Sequence, residues 1–149
     1  MARFQFVRDA GENLLKRRAS GMIDIRAIDN KIKQMGLGIS DLVLTIFEDE
    51  IRAQGIARNF GDREKAILLI GNVRGVASVD DQILPEQVDA SYSQFHTVIK
   101  GETLESIAQQ YYGDEKKFDQ ILIANHPLIT HPRGIYPGQK LRVPPLNDS

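Results

Sequence analysis

The sequence predicts an α+β protein in which a short N-terminal helical arm precedes two small modules. Three observations lead to this prediction. Some segments repeat apolar residues at helical spacing, whereas others are rich in β-branched residues, as strands are. A polar stretch without periodicity separates the two regions that contain these segments. The length of 149 residues suits one ordinary domain or two small ones.

Residues 1–20 are predicted to form the helical arm, because apolar residues recur at helical spacing between Phe4 and Leu14. Gly11 lies within this pattern and is also a residue type that ends helices, so a helix over residues 3–10 is an alternative. Basic residues outnumber acidic residues in the arm by five to two. We expect the basic cluster Lys16-Arg17-Arg18 to be a solvated helix face, and membrane-surface binding is the alternative.

Residues 21–85 are predicted to form an αββαβ module. Its first helix is marked by isoleucines between Ile25 and Ile32 and ends before Gly36. The other predicted elements are strands over 42–48 and 51–57 joined by a tight turn at Asp49-Glu50, a helix capped by Asp62 with Ala66, Leu69, Ile70 and Val73 facing inward, and a strand over 76–84.

Residues 86–94 are predicted to be a linker because they are polar, and residues 95–149 are predicted to form a βααβ module. The elements predicted for this module are a strand over 95–100, a helix capped by Thr103 and closed by Gly113, a helix capped by Asp114 and stopped at His126-Pro127, a turn at Pro137-Gly138, and a strand over 139–144.

The composition argues against several classes of function. With 19 basic and 20 acidic residues the net charge is −1, unlike that of a dedicated nucleic-acid-binding protein. The absence of cysteine excludes disulfides, thiolate zinc sites and cysteine nucleophiles. No apolar run reaches the length of a membrane helix, and charges interrupt the N-terminus before a signal-peptide core forms, so we expect a cytoplasmic protein. No catalytic motif is recognisable, and no enzymatic activity is expected.

The second module, residues 95–149, resembles a LysM domain. The resemblance rests on the segments FHTVIKGETLESIAQQYYG, LIANHP and IYPGQKLRVP. It implies a groove for N-acetylglucosamine glycans such as peptidoglycan, formed by the loop after the first strand and the loop before the last strand. The residues that the resemblance places in this groove are Gly101, Thr103, Leu104, Asn125, Pro127 and Ile135.

The first module, residues 21–85, resembles a BON domain through its paired strands with Gly55, the helix REKAILLIGNV and the segment RGVASVDDQI. Together with the arm segment FVRDAGENL, the two modules resemble the bacterial cytoplasmic potassium-binding protein family. This resemblance implies a K⁺ sensor or buffer of the bacterial stress response that binds K⁺ selectively and becomes more compact on binding. We expect a monomer, with a protein partner or a peptidoglycan fragment as an additional ligand of the LysM module.

A potassium site is expected to consist of backbone carbonyls, because K⁺ is well matched by neutral carbonyl oxygens whereas Ca²⁺ and Mg²⁺ recruit clustered carboxylates. The last carbonyls of a helix lack intrahelical partners and lie at the negative end of the helix dipole. Three predicted helix ends, one from each part of the chain, are expected to meet around one ion. The carbonyls predicted to bind K⁺ are those of Val7, Ala10, Gly71, Val73, Gly75 and Ile123.

Simpler interpretations remain open for two of these features. Gly71 and Gly75 have the alternative role of only ending a helix. Asp80 and Asp81 are expected to be a solvated strand end, and the alternative is that they add negative potential near the ion without touching it. Glycan binding through the LysM module is the alternative function.

Overall fold

The computed structural model describes residues 2–8, 10, 23–87 and 93–145. The chain divides into two compact units, Met1–Val88 and Asp89–Ser149. Each unit combines helices with its own sheet, and the protein is therefore of the predicted α+β class. No helix in the described part of the chain is both long enough and apolar enough to span a membrane.

The first unit is a four-stranded sheet with two helices. The sheet order is β1-β4-β3-β2, in which β3 and β4 run parallel and the other two pairs run antiparallel. The elements are β1 (Ala2–Gln5), α1 (Ile25–Gln34), β2 (Ile39–Phe47), β3 (Glu50–Asn59), α2 (Phe60–Gly71) and β4 (Ser78–Gln87).

The prediction of a helix at the start of the arm is wrong, because residues Ala2–Gln5 form strand β1. Phe4 pairs with Val79 in β4, and the exposed residues Arg3 and Gln5 flank it. Polar and aromatic residues alternate in this segment, with the period of two that is typical of a strand. This alternation predicts the structure better than the weaker helical spacing of its apolar residues. In the rest of the predicted arm, residues 6–8 and 10 are described and are not helical, whereas residues 9 and 11–20, with Gly11 and Leu14, lie outside the described residues.

Two predicted positions in the first unit shift along the chain. The hairpin turn is at residues 48–49 rather than at Asp49-Glu50, because Glu50 already pairs with Phe47 as the first residue of β3. Helix α2 is capped by the side chain of Asn59, which accepts a hydrogen bond from the Asp62 N–H at 2.8 Å. Asp62 instead occupies the first turn, where its charge suits the helix dipole.

Helix α2 is the centre of the first core. The residues predicted to face inward are buried, and so are their neighbours Ile67 and Leu68. The helix contacts α1 on one side and strands of the sheet on the other, so its second half is apolar around most of its circumference. Helix α1 contributes Ile28 and Ile32 to this core, as its spacing predicted.

The second unit has the predicted βααβ order, with a short 3-10 turn before its second helix. Thr103 caps the first helix through a capping box with Ser106, and Gly113 closes it with φ 72°. The core consists of apolar side chains from both helices and the last strand, together with Val98 and Ile129 from the connecting segments. The elements are β5 (Gln94–Thr97), α3 (Leu104–Tyr112), the 3-10 turn Glu115–Lys117, α4 (Phe118–Ala124) and β6 (Lys140–Val143).

The boundary between the predicted first module and the linker differs from the structure. Strand β4 continues to Gln87, pairing with β3 as far as Asn59, and so includes the first two residues of the predicted linker. Residues 88–92 of that linker lie outside the described residues.

Candidate functional site

The N-terminal segment after β1 runs beside the turn that follows α2. The Phe6 N–H donates to the Ala77 carbonyl at 2.9 Å, and the Gly75 N–H donates to the Arg8 carbonyl at 2.7 Å. These two hydrogen bonds place Phe6 and Arg8 beside Ala77 and Gly75 in the first unit. Val7 and Ala10 belong to the N-terminal segment and Gly71, Val73 and Gly75 to the end of α2 and the turn after it. The convergence of their carbonyls on one ion stays a prediction.

Gly71 and Gly75 have different structural roles in this region. Gly71 is the last residue of α2, and Asn72 is its C-cap. A Cβ atom on Gly71 would overlap the ring of Phe6, so glycine is needed there for close packing rather than to end the helix. Gly75 has φ +102°, a conformation that favours glycine, as its predicted turn requires.

Some predicted carbonyls already accept one hydrogen bond. The Val7 carbonyl accepts from the Ala10 N–H, and the Val73 carbonyl accepts from the Val76 N–H, both at 3.1 Å. A carbonyl oxygen has two lone pairs, so one such bond leaves a second lone pair for a cation. The hydrogen bonds of Val7 and Val73 therefore do not prevent either carbonyl from also binding a cation.

The β2–β3 hairpin turn also reaches this region. The Ala77 N–H donates to the Asp49 carbonyl at 2.8 Å. The Asp49 carboxylate lies 3.9 Å from the Arg8 guanidinium, and both side chains are substantially exposed. The hairpin turn was not among the predicted site segments, and nothing in its sequence indicated that it would lie beside residues 6–10.

Ile123, the sixth predicted residue, lies near the end of α4 in the second unit. Its carbonyl accepts a hydrogen bond from the His126 N–H at 3.2 Å, and the neighbouring Ala124 carbonyl accepts from Arg142 Nη1 at 3.0 Å. The participation of Ile123 in the same site stays a prediction.

The second unit contains a groove of about 620 Å³ between the start of α3 and the segment before β6. Of the residues predicted for a glycan groove, Thr103 and Ile135 line it. The side chain of Leu104 is fully buried in the core. Gly101 and Pro127 are not among the residues that line this groove, which are Glu102, Thr103, Glu105, His131, Pro132, Arg133 and Ile135.

Asn125, the remaining predicted groove residue, is fully buried. Its amide donates to the carbonyls of Ile121 at 2.7 Å and Arg142 at 2.9 Å. Its side-chain oxygen accepts from the Arg142 N–H at 2.9 Å. The bond to Ile121 lies within the end of α4, and the two bonds to Arg142 join this end to β6. Asn125 thus holds the unit together, and its side chain is not accessible to a ligand.

Comparison with known proteins decides the family. A family model described as LysM domain matches residues 96–144. The Potassium binding protein Kbp of Escherichia coli O6:H1 is 36% identical over 149 residues, which cover 97% of this chain and 99% of that protein. The chain belongs to the Kbp family.

A second relative matches a part of this Kbp-family chain. It is an uncharacterized protein of Deinococcus radiodurans that is 33% identical over 86 residues, or 51% of this chain and 33% of that protein. The family predicted from the sequence is confirmed by the match to Kbp, and the LysM assignment by the family model. The BON assignment of residues 21–85 stays a prediction.

The adjacent aspartates of the Kbp-family chain are not a solvated strand end, and that prediction is wrong. Asp80 and Asp81 are buried within β4. Arg63 pairs with Asp81 at 2.6 Å, and Arg52 pairs with Asp80 at 3.1 Å. The hydrogen bond from Gln82 and the nearby Arg52 guanidinium hold the pKa of Asp80 below its ordinary value. Because both carboxylates have arginine partners, they add little net negative potential elsewhere.

A hydrogen-bonded network beside the groove was missed by sequence reasoning. His96 Nε2 lies 2.8 Å from Glu102 Oε1, and His96 Nδ1 lies 2.9 Å from the Tyr111 hydroxyl. The turn after β5, with Gly101 at φ +91°, brings His96 and Glu102 together. Within the described residues no group of three or more histidine, aspartate or glutamate side chains is placed to hold a metal ion.

Proposed function

We propose that this protein binds K⁺ through backbone carbonyls of residues 6–10 and 71–77 and acts as a cytoplasmic K⁺ sensor or buffer. The observation that carries the proposal is the pair of hydrogen bonds that place these segments side by side, Phe6 to Ala77 and Gly75 to Arg8. The printed name of the Escherichia coli relative, which matches over nearly the full length, supports K⁺ as the ligand.

The chemistry of the region suits a monovalent cation. Its predicted ligands, Val7, Ala10, Gly71, Val73 and Gly75, would contribute neutral carbonyl oxygens, which replace the weak hydration shell of K⁺ at low cost. Divalent ions favour carboxylate clusters. The Asp49 carboxylate near these segments lies beside the Arg8 guanidinium.

Compaction follows if the ion binds only when both segments are in place. Strand β1 has four residues, so few backbone hydrogen bonds hold the N-terminal segment to β4. An ion that contacts carbonyls on both sides would stabilise the docked segment and shift the population toward it. The same proposal includes the carbonyl of Ile123 as an additional ligand. Binding of K⁺ would then also involve the second unit.

Thermal unfolding in different chloride salts tests the proposal. Melting temperatures would be measured in KCl, NaCl and choline chloride at equal ionic strength. Since a ligand that binds only the folded state adds about 2.7 kcal/mol at a concentration 100 times its Kd, we expect a clearly higher melting temperature in KCl. Equal melting curves in the three salts would disprove K⁺ binding.

Glycan binding by the second unit is the second candidate function. The groove beside Thr103 and Ile135 and the match to a LysM domain over residues 96–144 favour it. Sedimentation with insoluble peptidoglycan, in KCl and in choline chloride, separates the two candidates. Strong retention that is independent of K⁺ would support the glycan function, and absence from the pellet would count against it.

A further inference from the structure

The groove of the second unit has two walls of opposite charge. The loop after β5 and the first turn of α3 contribute Glu102 and Glu105 to one wall. The segment before β6 contributes His131 and Arg133 to the other. Both walls line the same volume of about 620 Å³, which is large enough for a small organic ligand.

The charges of the two walls do not neutralise each other across the groove. Glu102 pairs with His96, which lies outside the groove lining. Among the described residues, neither the Glu105 carboxylate nor the Arg133 guanidinium has an ion-pair partner. The groove thus presents unpaired opposite charges on facing walls.

Glu102 is held in place as a hydrogen-bond acceptor. Its Oε1 accepts from the Ile99 N–H and contacts His96 Nε2, both at 2.8 Å. Its Oε2 has no hydrogen-bond partner among the described residues. Every buried side-chain oxygen in the described part of the chain has a partner, so Oε2 must be accessible to solvent. Burial raises the pKa of Glu102, but the hydrogen bonds from His96 and Ile99 outweigh it and leave the pKa below its ordinary value.

The opposite wall presents donors. The Arg133 N–H lies 3.1 Å from His131 Nδ1 and donates to it. With Nδ1 as an acceptor, the neutral imidazole carries its proton on Nε2. Both the Nε2–H of His131 and the guanidinium of Arg133 are thereby available to an anionic group, and an arginine guanidinium matches a carboxylate in shape as well as in charge.

We propose that this groove binds short peptides with free termini, with the ammonium group at Glu102 and Glu105 and the carboxylate at Arg133 and His131. A neutral glycan would hydrogen-bond to these side chains through hydroxyl and amide groups but would bring no opposite charge to either wall. A zwitterion instead places an ammonium group against a carboxylate at one wall and a carboxylate against a guanidinium at the other, so that both partners of each hydrogen bond are ionised. This site is independent of the proposed K⁺ site.

Matched peptides test the proposal on the full chain. Binding of di-, tri- and tetra-alanine would be measured by calorimetry, next to the N-acetylated and C-amidated form of each. Because a hydrogen bond to a charged group typically contributes at least a tenfold change in affinity, we expect the best free peptide to bind about tenfold more tightly than either blocked form.

Two groove variants assign the ends of the peptide. Glu105→Gln should lower the affinity for the free peptide and leave the affinity for the N-acetylated form unchanged. Arg133→Gln should lower the affinity for the free peptide and leave the affinity for the C-amidated form unchanged. Lys116→Gln, which removes an exposed charge from the 3-10 turn outside the groove lining, is the control and should alter none of the affinities.

Several results would overturn the proposal. Equal affinity of free and blocked peptides, or no binding of any of them, would show that the opposite charges of the two walls do not recognise a zwitterion. A neutral N-acetylglucosamine trisaccharide that binds more tightly than every peptide, with an affinity that neither groove variant changes, would assign the groove to a neutral glycan.

Discussion

The ring of Phe6 packs directly against the backbone of Gly71, in the space that any other side chain at position 71 would occupy. Phe6 follows strand β1 and Gly71 ends helix α2, so this contact fastens the N-terminal segment to the principal helix of the first core. The contact lies between the two segments proposed to bind K⁺. The stability of the docked segment and the geometry of the carbonyls should therefore change together.

Replacing Gly71 with alanine should destabilise the protein. Helix propensity alone favours alanine over glycine by about 1 kcal/mol, but the new Cβ would displace the Phe6 ring. Since overpacking of this kind costs about 1–3 kcal/mol, we expect Gly71→Ala to lower the free energy of unfolding, measured in urea.

The background Phe6→Ala provides the control for this substitution. Without the ring, Gly71→Ala should be neutral or stabilising, because only its helix propensity remains. If Gly71→Ala stabilised the chain that retains Phe6, the contact would not have the packing role assigned to it.

Replacing Gly75 with valine should reduce the stabilisation by K⁺. Gly75 adopts φ +102°, and a β-branched residue is strained there. Its N–H donates to the Arg8 carbonyl, so a shift of the turn would also move the N-terminal segment. We expect the difference in melting temperature between KCl and choline chloride to shrink strongly in Gly75→Val.

Gly36→Val is the matched control for Gly75→Val. Gly36 also has a positive φ, +69°, with open space around it, and it lies after α1 rather than beside residues 6–10. This variant should lower the melting temperature in every salt while keeping the difference between KCl and choline chloride. A similar loss of the K⁺ effect in both variants would show that general destabilisation explains it.

The sequence predicted well those features that depend on local chemistry. The helix spacing from Ile25 to Ile32, the cap at Thr103 and the closing glycine Gly113 each follow from residues within one turn of each other, and the structure confirms them. The Pro137-Gly138 turn is confirmed in the same way, because Gly138 has φ +88° as a type II turn requires.

Features that depend on tertiary partners were not predictable from local patterns. The segment with Phe4 forms a strand because the edge of β4 is available to it, and no local pattern shows that edge. The packing role of Gly71 is not predictable in the same way, because its partner, Phe6, is distant in sequence. Likewise Asp80 and Asp81 were expected to be solvated because their arginine partners come from other elements.

The ion pair between Arg63 and Asp81 should be important for stability. The side chains are 18% and 2% exposed, so removing the arginine leaves a buried carboxylate without its partner. Loss of one partner of a buried pair costs about 3–5 kcal/mol, and the partial exposure of Arg63 favours the low end of that range. We expect Arg63→Met to lower the free energy of unfolding accordingly, as measured by denaturant titration.

The exposed pair of Lys33 and Asp29 on α1 is the control for Arg63→Met. Its lysine side chain is 72% exposed, and pairs of this kind contribute less than about 1 kcal/mol. Lys33→Met should therefore have only a small effect. Equal effects of the two substitutions would mean that burial does not govern the strength of the Arg63 pair.

The stability conferred by Asp80 should depend on pH. A carboxylate with a lower pKa in the folded state adds stability above its unfolded pKa and loses it as the pH falls through the folded pKa. The pKa of Asp80 is lowered, chiefly by the hydrogen bond from Gln82 with a further contribution from Arg52.

We expect Asp80→Asn to destabilise the protein at pH 7, and the difference in the free energy of unfolding from the unsubstituted chain to shrink below about pH 4. Urea titrations from pH 7 to pH 2.5 would measure this difference, with Glu86→Gln, at an exposed residue of β4, reporting the general effect of removing one negative charge. A difference for Asp80→Asn that stays constant across this range would show that the ionised carboxylate is not what stabilises the fold.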